Sequence, residues 1–172
     1  MVGMMGAGKT AVGKCLAAQL DVPFVDSDEE IVAAANMSIA EIFERDGEAF
    51  FRDRETEVIE RLLVSEPRII SAGGGLFLLQ RNRDLISKYG VSLWLKADLA
   101  LLWSRVRHKN TRPLLRTENP HATLSTLLKE RSPFYELADV SVETKPAFSI
   151  EATAKAAQKA LAQRQDVLEE IG

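Results

Sequence analysis

Residues Gly3-Met4-Met5-Gly6-Ala7-Gly8-Lys9-Thr10 fit the pattern G-x-x-x-x-G-K-[ST], the P-loop. Its glycines let the backbone turn sharply, so that several N–H groups converge on phosphate oxygens. Lys9 then reaches the β- and γ-phosphates, and the Thr10 hydroxyl can ligate Mg²⁺. Thr10 to Leu20 carries apolar residues at Val12, Leu16 and Leu20 and reads as a helix whose positive N-terminus faces the phosphates. A loop of this kind normally leaves a buried strand, yet only Met1 and Val2 precede Gly3.

The rest of the chain alternates strand and helix. Val22–Asp26 reads as a buried strand, followed by a helix over Glu29–Ala35 with Ser27 or Asp28 as its cap. Ser38 caps a short helix through Arg45, ended by Asp46-Gly47, and Glu48–Val64 forms a longer one. Arg68–Ala72 is a second strand, closed by Gly73-Gly74-Gly75; Leu79–Lys88 is a helix. Val91–Leu95 and Val140–Glu143 are further strands, and Ala97–Arg107, His121–Glu136 and Ile150–Ile171 are helices. His108–Pro120 is basic and irregular and reads as a loop or lid. This alternation means a parallel sheet covered on both faces, with ligands bound beyond the carboxyl ends of the strands. The P-loop, Asp26-Ser27-Asp28 and the triple glycine each follow a strand and should converge at one edge.

At 172 residues the chain is expected to be one domain. A net charge of −3 argues against a nucleic-acid partner held by bulk charge. The single Cys15 excludes an internal disulfide and reads as a structural thiol. No apolar run is long enough to span a bilayer and no signal peptide is present, so no membrane partner and a cytoplasmic location are expected.

Asp26 ends a strand beside the P-loop and suits a role in placing Mg²⁺; Asp28, two residues on, could face an acceptor hydroxyl as proton acceptor or orienting group. Both acids could instead serve only as helix caps, the less favoured alternative. Arg52 and Glu55 share a helix face, as a solvated ion pair would. Gly73, Gly74 and Gly75 allow a close approach of backbone to ligand, beyond what a turn needs. The run Arg105, Arg107, Lys109, Arg112, Arg116 is either a solvated loop or a cover for a polyphosphate, with Arg112 as the best candidate for a cation on the transferring group.

Taken together, the P-loop, Asp26-Ser27-Asp28, Phe51-Arg52-Asp53-Arg54-Glu55, the triple glycine, Arg112-Pro113-Leu114-Leu115 and Glu130-Arg131-Ser132-Pro133-Phe134-Tyr135 resemble shikimate kinase over nearly the whole chain. The resemblance implies a three-layer α/β P-loop kinase fold over residues 1–172, with a central parallel five-stranded sheet, helices on both faces and a mobile lid at about 108–120. It implies transfer of the γ-phosphoryl of ATP to the 3-hydroxyl of shikimate, with Mg²⁺, by a monomer. Gly6, Ala7, Gly8, Lys9, Thr10 and Ala11 would bind ATP; Thr10 and Asp26 would place the metal; Asp28 would contact the acceptor hydroxyl. Arg52 and Arg131 would bind the substrate carboxylate, ordered by Glu55, and Gly73, Gly74 and Gly75 would line the acceptor site. Arg112 would descend with the lid, and Arg105 would stack on adenine. Lys9, Asp28 and Arg112 would form the catalytic set. Arginine at both carboxylate positions suits fork-shaped recognition that lysine does not give. The family's first strand is almost absent, which leads us to expect a misassigned start or a cut chain. A kinase for another hydroxy acid, such as gluconate, would be expected to lack the triple glycine and one of the two arginines. A regulatory module without catalysis would be expected to have lost Lys9, Asp28 or Arg112.

Overall fold

The computed structural model describes residues 1–168. Its elements are α1 (Lys9–Leu20), β1 (Phe24–Asp26), α2 (Ser27–Ala35), α3 (Ile39–Leu63), β2 (Ile69–Ser71), α4 (Gln80–Tyr89), β3 (Leu93–Lys96), α5 (Leu99–Val106), α6 (Pro120–Tyr135), β4 (Val140–Glu143), α7 (Ile150–Ala162) and α8 (Gln165–Leu168). Short 3₁₀ turns occupy Leu76–Leu78 and Pro113–Leu115.

All strand pairs are parallel: β1 lies on β2 with Val25 opposite Ile70, and β3 on β4 with Trp94 opposite Ser141. Of the five parallel strands expected, with the first truncated, four form two pairs, and the first is reduced to a bridge from Val2 to Trp94 that stitches the pairs together. The Ala72 N–H donates to the Met1 carbonyl at 2.9 Å, the Val2 N–H to Leu93 O at 2.8 Å, and the Leu95 N–H to Val2 O at 3.0 Å. Two residues can bridge each neighbour at the carboxyl end of the sheet but cannot form a strand of their own. Towards the other end the gap widens into a cavity of about 690 Å³, lined by Leu16, Leu20, Ile59, Ile69, Leu93 and Leu161 among others.

Three helix boundaries differ from expectation. Asp26, not Ser27 or Asp28, caps α2: its backbone is extended and its Oδ1 accepts from the N–H groups of Asp28 (2.9 Å) and Glu29 (3.2 Å). The expected break at Gly47 is a kink inside the longer α3, since only Gly47 leaves helical geometry there. Ser38 caps that helix reciprocally with Glu41, as a capping box. The closing helix breaks after Ala162 and resumes as α8; its expected end at Ile171 lies outside the described residues.

The core is built on leucines of α1, β3, α5 and α6 (Leu16, Leu95, Leu102, Leu124), all without exposed surface. Ala154 and Ala157 present no bulk on the buried face of α7, where it meets α1. That packing fixes α1, and with it the loop that α1 terminates. Among the described residues no helix is long and apolar enough to cross a membrane.

Candidate active site

The loop before α1 depends on its glycines. Gly8 caps the helix at φ 95°, a left-handed conformation that a side chain would strain, and its carbonyl accepts the first helical bond from Val12 at 2.9 Å. No acidic side chain lies in the first turn of α1, so nothing there opposes an anion. Thr10 and Ala11 are exposed at this end. Lys9 curls back over the loop, donating to Gly3 O at 2.7 Å and Met4 O at 3.0 Å. Burial lowers its pKa to about 8, and the positive charge of Arg112 adds to the effect; Asp28 and Asp26 act in the opposite direction.

Arg105 reaches the same loop from α5. Its Nη1 donates to Gly6 O (3.1 Å) and Ala7 O (3.0 Å), so that guanidinium braces the phosphate loop across the fold. Arg112 stands at the start of the Pro113–Leu115 turn, anchored below by the buried Leu115. Its Nε is buried with no partner among the described residues. A cation with an unused buried donor next to Lys9 is suited to meet an anion.

On the acceptor side, the triple glycine is a floor. A Cβ at Gly73 would fall 2.6 Å from Asp28 Oδ1, at Gly74 2.9 Å from Arg131 Nη1, and at Gly75 2.6 Å from both terminal nitrogens of Arg52. Each glycine is therefore the place where one expected site residue lies down. Arg52 is held there by Glu55, Nη1 to Oε1 at 2.9 Å, and Glu55 is 1% exposed, so the pair is not the solvated one its sequence alone allows. Burial pushes the Glu55 pKa up, while Arg52 pulls the other way.

Asp28 joins the two halves. Burial and then the charge of Asp26 raise its pKa; Lys9, Arg52 and Arg112 each oppose that rise. The residues expected to touch phosphate and those expected to touch the acceptor thus act on one carboxylate. Asp26 keeps one oxygen outside its capping bonds.

Three contributors have contacts to the site that the sequence pattern does not indicate. The Ser27 hydroxyl accepts the Gly73 N–H at 3.1 Å, and the Tyr135 hydroxyl donates to Gly74 O at 2.6 Å. Buried Asn82 ties α4 to Leu76 O and, through Thr56, to α3, which carries Arg52.

The shikimate kinase family model matches residues 5–166. The chain is 63% identical to the shikimate kinase of Ruegeria pomeroyi over 169 residues, covering 98% of this chain and 87% of that protein. Among solved structures it is similar to a shikimate kinase from Acinetobacter baumannii in complex with shikimate, at TM-score 0.87 and 38% identity, over 95% of this chain and 92% of that one. A shikimate kinase from Bacteroides thetaiotaomicron matches at TM-score 0.86 and 30% identity, over 94% and 96% of the two chains.

Proposed function

Because this chain belongs to the shikimate kinase family, we propose that the two clusters meeting at Asp28 divide between them the transfer of a phosphoryl group from ATP to shikimate. The reaction moves the γ-phosphoryl of ATP to the 3-hydroxyl of shikimate, giving shikimate 3-phosphate and ADP in aromatic amino-acid biosynthesis. The P-loop amides from Gly6 to Ala11 and the Lys9 ammonium bind the phosphates. Arg52 and Arg131 bind the shikimate carboxylate through paired N–H donors. The 3-hydroxyl donates its hydrogen bond to Asp28, whose raised pKa makes it a better proton acceptor than an exposed aspartate. Arg112 supplies positive charge to the transferring group when the 108–120 segment closes. Such a reaction needs in-line placement and charge neutralisation more than covalent help.

Mg²⁺ fits the donors present. It takes oxygen ligands and keeps waters and substrate phosphates in its shell, so two protein oxygens suffice. Thr10 Oγ1 and the uncommitted oxygen of Asp26 are of that kind. Among the described residues no group of three or more His, Cys, Asp or Glu could hold a resident ion, which favours metal arriving with nucleotide. When bound, Mg²⁺ neutralises charge on the β- and γ-phosphates.

The observation that carries this reading is that Asp28, Arg131 and Arg52 lie over the consecutive glycines Gly73, Gly74 and Gly75, with the charges of Lys9 and Arg112 also acting on Asp28. One chain over residues 1–172 supplies every group named, in keeping with a single domain acting as a monomer on cytoplasmic small molecules. The test is ADP release from ATP and Mg²⁺ with and without shikimate. Turnover that appears only with shikimate is expected; release indifferent to it would overturn the assignment.

A further inference from the structure

Two of the three floor glycines are gripped by buried hydroxyls from distant parts of the chain. Ser27 takes the N–H of Gly73, and Tyr135 takes the carbonyl of Gly74; neither side chain has exposed surface. The Tyr135 ring packs beside Trp94 of the central sheet, centroids 6.1 Å apart, so its hydroxyl is held against a rigid wall. Arg131 lies four residues earlier on α6 and therefore on the same face. Its Nη1 approaches Gly74 as well.

We propose that Tyr135 is a positioning residue for the acceptor, acting through the Gly74–Gly75 peptide; this rests on the reading of Arg52, Arg131 and the glycine floor as the shikimate site. The peptide is planar and trans, so its C=O and N–H point in opposite directions. Drawing the Gly74 carbonyl towards α6 therefore aims the Gly75 N–H away from α6. Among the described residues no protein acceptor takes that N–H, which leaves it as a donor for a ligand on the floor. Three successive glycines have no side chains to fix their own conformation, and ordering them on binding would cost entropy. Tyr135 makes that ordering part of the folded state. Burial pushes its phenol pKa up, against the charge of Arg131, so the hydroxyl keeps its proton and remains a donor to Gly74.

Tyr135→Phe keeps the ring and removes the donor. Loss of one neutral hydrogen bond should raise KM for shikimate about two- to tenfold, with kcat and KM for ATP changed by less than about twofold, and pairing with Arg131→Lys should be non-additive. An unchanged KM for shikimate, or an equal rise in KM for ATP, would overturn the proposal. A second measurement does not need the variant. The chain has two tyrosines, Tyr89 at 41% exposure and Tyr135 at none, so 3-fluorotyrosine labelling gives one buried and one exposed ¹⁹F resonance. Shikimate should move the buried resonance and Mg-ADP alone should not; a resonance blind to shikimate, in protein shown by calorimetry to bind it, would overturn the role of Tyr135 alone. Protein that binds no shikimate by calorimetry would overturn the family reading, and this inference with it.

Discussion

The carboxylate of Asp28 rests on the backbone of Gly73 so closely that a methyl group there would stand 2.6 Å from Oδ1. Gly73→Ala therefore forces the carboxylate aside. The Gly73 backbone is not in the left-handed region, so the substitution acts through that contact and not through strain. Displacement of a reacting group by about 1 Å can cost about 10²-fold in rate. We expect kcat to fall on that scale, with KM for ATP nearly unchanged and Tm lower by only about 2–4 °C for a cost of about 1 kcal/mol. Steady-state kinetics and a melting curve check both; full kcat would mean the exact seat of Asp28 is unimportant.

Arg52 serves both substrate and fold, and the two roles separate by pH. Arg52→Ala should raise KM for shikimate about 10- to 150-fold, the equivalent of a charge-assisted bond of about 1.5–3 kcal/mol. It also leaves Glu55 buried without its cation. Burial and the charge of Asp28 then raise the Glu55 pKa above the ordinary value of 4.5, against the smaller effect of Arg81. Between the unfolded and folded values the native state binds more protons, so stability falls as pH rises through that window. The variant's loss of Tm relative to the unaltered chain should be larger at pH 7 than at pH 5. Equal losses at the two pH values would show that Glu55 does not depend on Arg52.

Lys9 has its pKa near 8 before any nucleotide arrives. Bound phosphates favour the ammonium, so ATP should bind with proton uptake above pH 8, and affinity for Mg-ATP, flat at pH 6–7, should fall as pH rises through 8 to 9. The effect on stability has the opposite slope. The unfolded lysine, near 10.5, holds its proton where the folded one does not, so Lys9 contributes stability that grows from pH 8 to 10.5. Calorimetric titration at several pH values in two buffers reads the proton uptake directly. Affinity independent of pH across this range would remove Lys9 from the phosphate site; Lys9→Ala should abolish turnover and leave the fold intact.

How much of this was legible depended on the range over which each feature is encoded. The P-loop, the strand–helix alternation, the Ser38 cap and the Arg52–Glu55 pair are local patterns, and the sequence carries them openly. Local pattern points to Ser27 or Asp28 as the cap of α2, where the structure uses Asp26, because all three residues are of types that can cap. The choice falls to Asp26 because Ser27 is turned inward to hold Gly73, 46 residues away. Tyr135 meets Gly74 from 61 residues away, and Arg105 meets Gly6 from 99, contacts that no local spacing announces. The break after Ala162 has no glycine or proline to mark it; Arg164 instead turns to pair with Asp139 and Asp166. The sheet gap reflects arithmetic alone, since two residues reach Ala72, Leu93 and Leu95 and nothing further down.

Asp28 should reveal itself through both rate and pH. Its pKa lies above the ordinary 3.8, chiefly from burial and then from Asp26. If it accepts the hydroxyl proton or orients the hydroxyl, kcat/KM for shikimate should rise with pH along an acid limb whose midpoint lies above that value. Asp28→Asn should remove the limb and lower kcat by about 10²- to 10⁴-fold, the usual contribution of a positioned proton acceptor, while ATP affinity changes far less. The stability change should run the other way. A carboxylate whose folded pKa is raised costs the native state more as pH rises through the window between the two values. The asparagine, neutral throughout, should therefore be as stable as the unaltered chain at pH 4 and no less stable at pH 7. A group kept at a stability cost and needed for rate is one held for chemistry. An asparagine variant with full kcat, or one that loses stability at neutral pH, would show that Asp28 is there for the helix and not for the hydroxyl.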